Sequence, residues 1–162
     1  MREVLLVWVG RRAAEPIETL AAQYRRRLGR YVALREIRVK PVAGRAGDPR
    51  RALAEEAIAI RRHLASDDTV VALDERGRER STEEFADWLS HHPGRLAFVI
   101  GSDLGLDGEF KHKARELLAL SRLTVSHQLA RLLLLEQLYR VCDWSAGGPY
   151  HRSGVGGPGG VG

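Results

Sequence analysis

Two short segments combine carboxylates and glycines in a way that could seat a ligand: Leu73-Asp74-Glu75-Arg76-Gly77 and Gly101-Ser102-Asp103-Leu104-Gly105. Each follows an apolar run that reads as a buried strand. In open parallel sheets, ligands sit beyond the C-terminal ends of strands. Glycine there lets a ligand approach the backbone closely, although the same glycines also serve simple strand-to-helix turns. Neither segment matches G-x-G-x-x-G or a P-loop, so nothing points to a dinucleotide or a nucleoside triphosphate. The six histidines (His63, His91, His92, His112, His127, His151) show no H-x-x-x-H spacing, and one cysteine, Cys142, makes no thiolate cluster. No metal is expected. That single cysteine also rules out an internal disulfide and points to a reducing, cytoplasmic setting.

The elements that must position these segments alternate between strand-like and helical patterns. Val4–Val9 reads as a buried strand, its apolar core too short for a signal peptide and interrupted by Arg11-Arg12. Glu15-Pro16 opens a helix through Arg27, with Ile17, Leu20, Ala21 and Tyr24 at helical spacing. Ala33–Val39 alternates as a strand. Asp48-Pro49 pairs an N-cap side chain with a proline whose missing N–H costs nothing there. The helix that follows runs to about Leu64, with Leu53, Ala57 and Ile60 on one face. Thr69–Leu73 is a further strand, and Ser81-Thr82-Glu83-Glu84 reads as a capping box for a helix to Ser90. Leu96–Ile100 is a strand, Asp107–Leu118 a helix, Leu120–Val125 strand or loop, and His127–Trp144 a long final helix. Such alternation implies an α/β fold, a mostly parallel sheet with helices on both faces.

Leu129, Leu132, Leu133, Leu134, Leu135, Leu138 and Val141 spread past the one-third stripe of an amphipathic helix. The final helix is therefore central to the core or covered on a second side by another subunit. Arg131 and Arg140 on it face that interface or an RNA groove. Outside the alternating pattern lie a basic, glycine-containing loop, Pro41–Gly47, and a glycine-rich stretch over residues 153–162 expected to be a disordered tail. Residues 1–152 are read as a single domain. The 26 basic residues against 21 acidic give a net charge of +5, and 23 of the 26 are arginines. Arginine pairs two-pronged with phosphate and stacks on bases, which fits RNA, but solvated arginine-rich faces give the same count. No apolar run approaches the ~20 residues needed to span a bilayer, so no membrane association is expected.

Three separated segments carry a resemblance: Leu120-Ser121-Arg122-Leu123-Thr124-Val125-Ser126-His127-Gln128-Leu129-Ala130-Arg131, then Leu135-Glu136-Gln137-Leu138-Tyr139-Arg140, then Pro149-Tyr150-His151-Arg152. With Tyr24-Arg25-Arg26-Arg27-Leu28 and the Leu73-Asp74-x-x-Gly77 segment, they resemble the ribosomal large-subunit pseudouridine N3-methyltransferase family, small enzymes of the SPOUT class. The resemblance implies a SPOUT-type α/β knot, with a trefoil in the C-terminal part, and a homodimer. It implies methyl transfer from S-adenosylmethionine to a pseudouridine of large-subunit ribosomal RNA in assembled ribosomes. It implies a cofactor held at Leu73, at Gly101 and along Leu120, Ser121, Arg122, Leu123, Thr124 and Val125. Tyr150, His151 and Arg140 become candidates for the catalytic end, while His127 shapes the pocket or the knot. The chain departs from the family in three places. Ser126 stands where proline is usual, Gly101-Ser102-Asp103 replaces a double glycine, and the chain continues past the Tyr-His pair. Two other readings of the same fold are a SPOUT methyltransferase acting on tRNA and a non-catalytic RNA-binding or assembly factor.

Overall fold

The computed structural model describes residues 3–42 and 47–153. The first apolar run, β1 (Glu3–Val9), lies in the interior of a five-stranded parallel sheet of order β2-β1-β4-β3-β5. Its partners are β2 (Ala33–Val39), β3 (Thr69–Glu79), β4 (Leu96–Ile100) and β5 (Glu116–Ala119). β1 and β4 are buried on both faces, which is why their sequences read as continuous rather than alternating apolar runs. Val4, Leu6 and Trp8 pack with Leu96, Phe98 and Ile100 toward α1 (Glu15–Leu28), α3 (Thr82–Ser90) and α5 (His127–Ser145). Leu5, Val7 and Val9 pack with Ala97 and Val99 toward α2 (Pro49–Arg61) and α4 (Gly108–Lys113). The helices thus cover both faces, as expected.

Local chemistry fixes most helix starts. Asp48 accepts the Arg50 N–H at 2.9 Å, and the Ser81/Glu84 capping box is complete. Asp107 accepts from the Phe110 N–H and Ser126 from the Leu129 N–H. Ser126, the departure from the usual proline, therefore acts as the N-cap of α5. In α1, Glu15 and Glu18 stand in the first turn and Arg25, Arg26 and Arg27 in the last, complementing the helix dipole at both ends.

Several expectations are corrected. The helix expected over Asp107–Leu118 stops at Lys113, and Glu116–Ala119 forms β5 beside β3. Ala114 turns extended (φ −63°, ψ 145°), and the Arg115 N–H is taken by the Val70 carbonyl at 2.9 Å. A four-residue apolar run fits a strand as well as the end of a helix, and only the open edge of β3 decides between them. β3 runs on to Glu79 rather than stopping at Leu73, with a register break in which Leu118 pairs with both Leu73 and Arg78. α2 ends at Arg61, short of Leu64. Leu20, expected on the buried stripe of α1, is 44% exposed. Cys142 is half-buried, and burial pushes its thiol up to about 11, so it stays protonated. The 153–162 tail beyond Ser153, and residues 43–46 of the basic loop, lie outside the described residues.

Candidate functional site

β4, β3 and β5 lie side by side, and the bulged part of β3, the turn after β4 and the loop after β5 line one cavity of about 530 Å³. Its walls come from Leu73–Arg76, Ile100–Gly105 and the loop from Leu120 to Ser126, closed by His127 and Ala130 of α5. Cavities of this size suit a small organic ligand. Of the eight residues expected around a cofactor, Leu73, Gly101, Leu120, Ser121, Leu123, Thr124 and Val125 line it. Arg122 belongs to the same loop but points away, its nitrogen 3.7 Å from Glu79.

Each wall has a local reason for its shape. In the β3 bulge, a side chain on Gly77 would sit 2.6 Å from the Leu117 carbonyl carbon, so only glycine lets the two backbones pass. The 101–105 segment is a tight turn: the Gly105 N–H reaches the Ser102 carbonyl at 2.8 Å, and Gly105 has φ +83°. A side chain on Gly101 would fall 2.2 Å from the Gly105 oxygen. The glycines make the turn, and the turn makes the wall. The third loop is held by its own Ser121 hydroxyl, which accepts from the Leu123 N–H at 3.0 Å, and by a Thr124 to Glu75 hydrogen bond across the cavity mouth.

The cavity carries acidic groups. Asp74 is half-buried, which works against its charge, but hydrogen bonds from Lys111 (2.9 Å) and the Arg76 N–H hold it below the usual carboxylate range. Asp103, whose side chain is mostly exposed, lies 2.9 Å from Nδ1 of His127. The His127 ring stacks on Trp8 at 6.1 Å between centroids, and a side chain on Gly10 would run into it at 2.4 Å. Its Nε2 is buried with no hydrogen-bond partner among the described residues. His127 therefore shapes the floor of the cavity.

Arg140, Tyr150 and His151 also come together, but elsewhere. They gather at the far end of α5, thirteen residues or about 20 Å along the helix from His127. Arg140 grips Glu136 with two nitrogens (3.0 and 2.6 Å) and lies over the Tyr150 ring at 4.6 Å. The Tyr150 hydroxyl is 3.2 Å from both Glu136 and the Tyr24 hydroxyl, and its N–H donates to Asp143. Burial, then Tyr24 and Glu136, push the Tyr150 phenol far above its ordinary range. Glu136 raises Arg140 as well. His151 stacks on Trp144 at 4.5 Å, and its Nε2 is 3.1 Å from Glu83.

Two features escaped sequence reasoning. Arg131, expected at an interface or an RNA groove, is 1% exposed. It pairs with Glu18 and Glu36 and lies over Trp8 at 4.6 Å, so it braces α1, β2 and α5 within the protomer. Glu56 is 2% exposed under α2. Ala52, Glu56 and Ile60 share one helical stripe, so a carboxylate on the apolar face was visible in the sequence. Among the described residues no cluster of His, Cys, Asp and Glu could hold a metal ion, and no helix is long and apolar enough to cross a membrane.

Comparisons with known proteins agree with this arrangement. The family model described as "Predicted SPOUT methyltransferase" matches residues 2–151. A protein of Gloeobacter violaceus named ribosomal RNA large subunit methyltransferase H is 38% identical over 150 residues, 92% of this chain and 98% of its own length. One of the same name from Solidesulfovibrio magneticus is 41% identical over 156 residues, 94% and 100% of the two chains. Among solved structures, a probable methylase family protein of Haemophilus influenzae superposes with a TM-score of 0.52 at 14% identity, over 96% of this chain and 70% of that one. That last likeness is one of fold.

Proposed function

Because the chain belongs to the SPOUT methyltransferase family, we propose that it transfers the methyl group of S-adenosylmethionine to N3 of a pseudouridine in the large-subunit RNA of assembled ribosomes. The observation that carries this reading is the convergence of the 73–76, 101–105 and 120–126 segments on one cavity. Its lining fits the cofactor. Leu73, Ile100, Leu118, Leu120, Leu123 and Val125 offer apolar surface for an adenine ring, and loop backbone groups offer the few polar contacts that orient it. Asp74, Glu75 and Asp103 supply negative charge for a ligand bearing a sulfonium. When bound, the cofactor supplies a methyl group on a positively charged sulfur, ready for displacement by a nitrogen lone pair. The loop from β5 through 120–126 is where a trefoil knot would close, and it meets β3 through Thr124 to Glu75 and Arg122 to Glu79.

The protein's contribution to the reaction is position, proton removal and charge. Holding the nucleophile and the methyl in line accounts for much of the acceleration in reactions of this kind. The N3 proton must go to a base. Among the three candidates, Tyr150 is held as the neutral phenol and Arg140 as the cation, so each can donate but neither can accept. His151 alone offers an imidazole; its Nδ1 is buried without a partner among the described residues, and its Nε2 meets Glu83 at 3.1 Å.

A homodimer reconciles the 20 Å gap. Leu129 (50% exposed), Leu133 (36%), Leu123 (75%) and Val125 (39%) leave an apolar surface around the first half of α5. Two copies pairing antiparallel there, about a two-fold axis near residue 131, would bring the far end of one α5 toward the cavity end of the other. The catalytic end of each copy then faces the cavity of its partner. Arg76, exposed at the cavity mouth, and the exposed Arg122 of the neighbouring loop suit contact with RNA phosphates. The setting of this reading is the cytoplasm, where ribosomes are.

The deciding experiment supplies labelled S-adenosylmethionine, ribosomes lacking the methyl group, isolated ribosomal RNA and tRNA. Label on ribosomes alone is the expected result. Label on tRNA, or cofactor binding without transfer, refutes the assigned substrate, and absence of cofactor binding points to an RNA-binding factor.

A further inference from the structure

Glu56 is a buried carboxylate with no part in the chemistry described above. It stands among Ala52, Ala57 and Ile60 on the apolar face of α2. An ionised carboxylate in such a wall lowers stability unless hydrogen bonds compensate. Both oxygens are engaged: Oε1 accepts the Val42 N–H at 2.9 Å and Oε2 accepts the Ser102 hydroxyl at 2.9 Å. Ser102 begins the tight turn that walls the cavity. A carboxylate has no proton to give, so the serine must point its single hydroxyl hydrogen at Glu56. Its lone pairs are then left for the Leu104 N–H, 3.4 Å away in the same turn. One buried charge thus fixes the orientation of a hydroxyl, the hydroxyl braces the turn, and the second oxygen ties both to the chain leaving β2.

We propose that Glu56 is a positioning residue for the cofactor: acting through Ser102, it holds the 101–105 turn in its binding shape before the cofactor arrives. The inference rests on the S-adenosylmethionine reading of the cavity. A preformed turn binds more tightly because less must be ordered on binding, while the methyl-transfer step itself is untouched.

The test uses the full-length protein and two readouts. Amide hydrogen exchange over residues 102–105, measured without cofactor, should accelerate at least tenfold in Glu56→Ala and in Ser102→Ala. In Glu56→Gln it should stay within about threefold of the parent, because the amide oxygen still accepts from Val42 and the amide nitrogen donates to Ser102. Calorimetric titration with S-adenosylmethionine should show Kd raised roughly tenfold in Glu56→Ala and nearly unchanged in Glu56→Gln. Turnover at saturating cofactor should remain within about twofold of the parent in Glu56→Ala and in Glu56→Gln. Glu56→Ala/Ser102→Ala should bind no more weakly than Ser102→Ala alone. Unchanged exchange and Kd in folded Glu56→Ala overturn the proposal. So does a Glu56→Gln variant as impaired as alanine, or full additivity in the double variant. If Glu56→Ala does not fold, Ser102→Ala breaks the same link from the other end, and parental exchange there overturns it. A parent protein that fails to bind S-adenosylmethionine refutes the proposed function, and exchange over the turn still decides the tether.

Discussion

At Gly101 the distance between two backbones decides whether a cavity exists. A methyl group there would lie 2.2 Å from the Gly105 oxygen, backbone that cannot swing aside, so Gly101→Ala must open the turn. Cofactor affinity should fall at least tenfold by titration, with the far-ultraviolet spectrum unchanged. At the other end of α5, His151→Ala should lower turnover by about 10²-fold or more while leaving cofactor Kd near the parental value, the signature of a lost base. A comparable loss of cofactor affinity would move His151 out of that role. Tyr150→Phe keeps the ring under Arg140 and removes only the hydroxyl that meets Tyr24 and Glu136, so it should cost less activity than His151→Ala.

α5 carries two sets of leucines, one buried in the protomer and one exposed. Leu134, Leu135 and Leu138 are fully buried in the protomer, so they cannot report on dimerisation. Leu134→Ala should destabilise the fold by about 2–5 kcal/mol in a denaturant titration. Leu129 and Leu133, exposed on the first half of the helix, carry the dimer test. Leu129→Glu/Leu133→Glu should sediment as a folded monomer and lose methyl transfer while cofactor binding persists. A folded, fully dimeric and active double variant would place the interface elsewhere. The sequence showed that the apolar stripe was too wide. It did not show which leucines were surplus, because that depends on where α1 and the sheet lie against the helix.

For the molecule as a whole, ion pairs link distant parts of the chain and make stability depend on pH. The Arg95 side chain, at 2.5 and 2.7 Å from Asp68, holds that carboxyl below its ordinary 3.8 and ties the start of β3 to the chain entering β4. A depressed folded-state pKa adds stability above 3.8 that is lost as the pH falls through the folded value. The melting-temperature gap between the parent and Arg95→Ala should therefore be constant near neutrality and close in acid below pH 3.8. A gap that stayed open there would mean that Arg95 stabilises by packing alone.

By itself the sequence determined the layered α/β fold, four of the five strands, the Asp48 and Ser81 helix caps and two of the segments that line the cavity. These follow from short-range rules: continuous apolar runs for strands buried on both faces, and side-chain oxygens two or three residues before the N–H groups they accept. The family resemblance named eight positions for a cofactor, and seven of them line the cavity. Only the tertiary structure decided the rest. Glu116–Ala119 became a strand because β3 offered an unpaired edge. Arg131 went inside because Glu18, Glu36 and Trp8, distant in sequence, meet around it. The 120–126 loop and the Arg140, Tyr150 and His151 group, close together in the sequence signature, fell at opposite ends of one helix. No local pattern encodes that distance, because it is set by the length of α5 and by which of its faces the core has already taken.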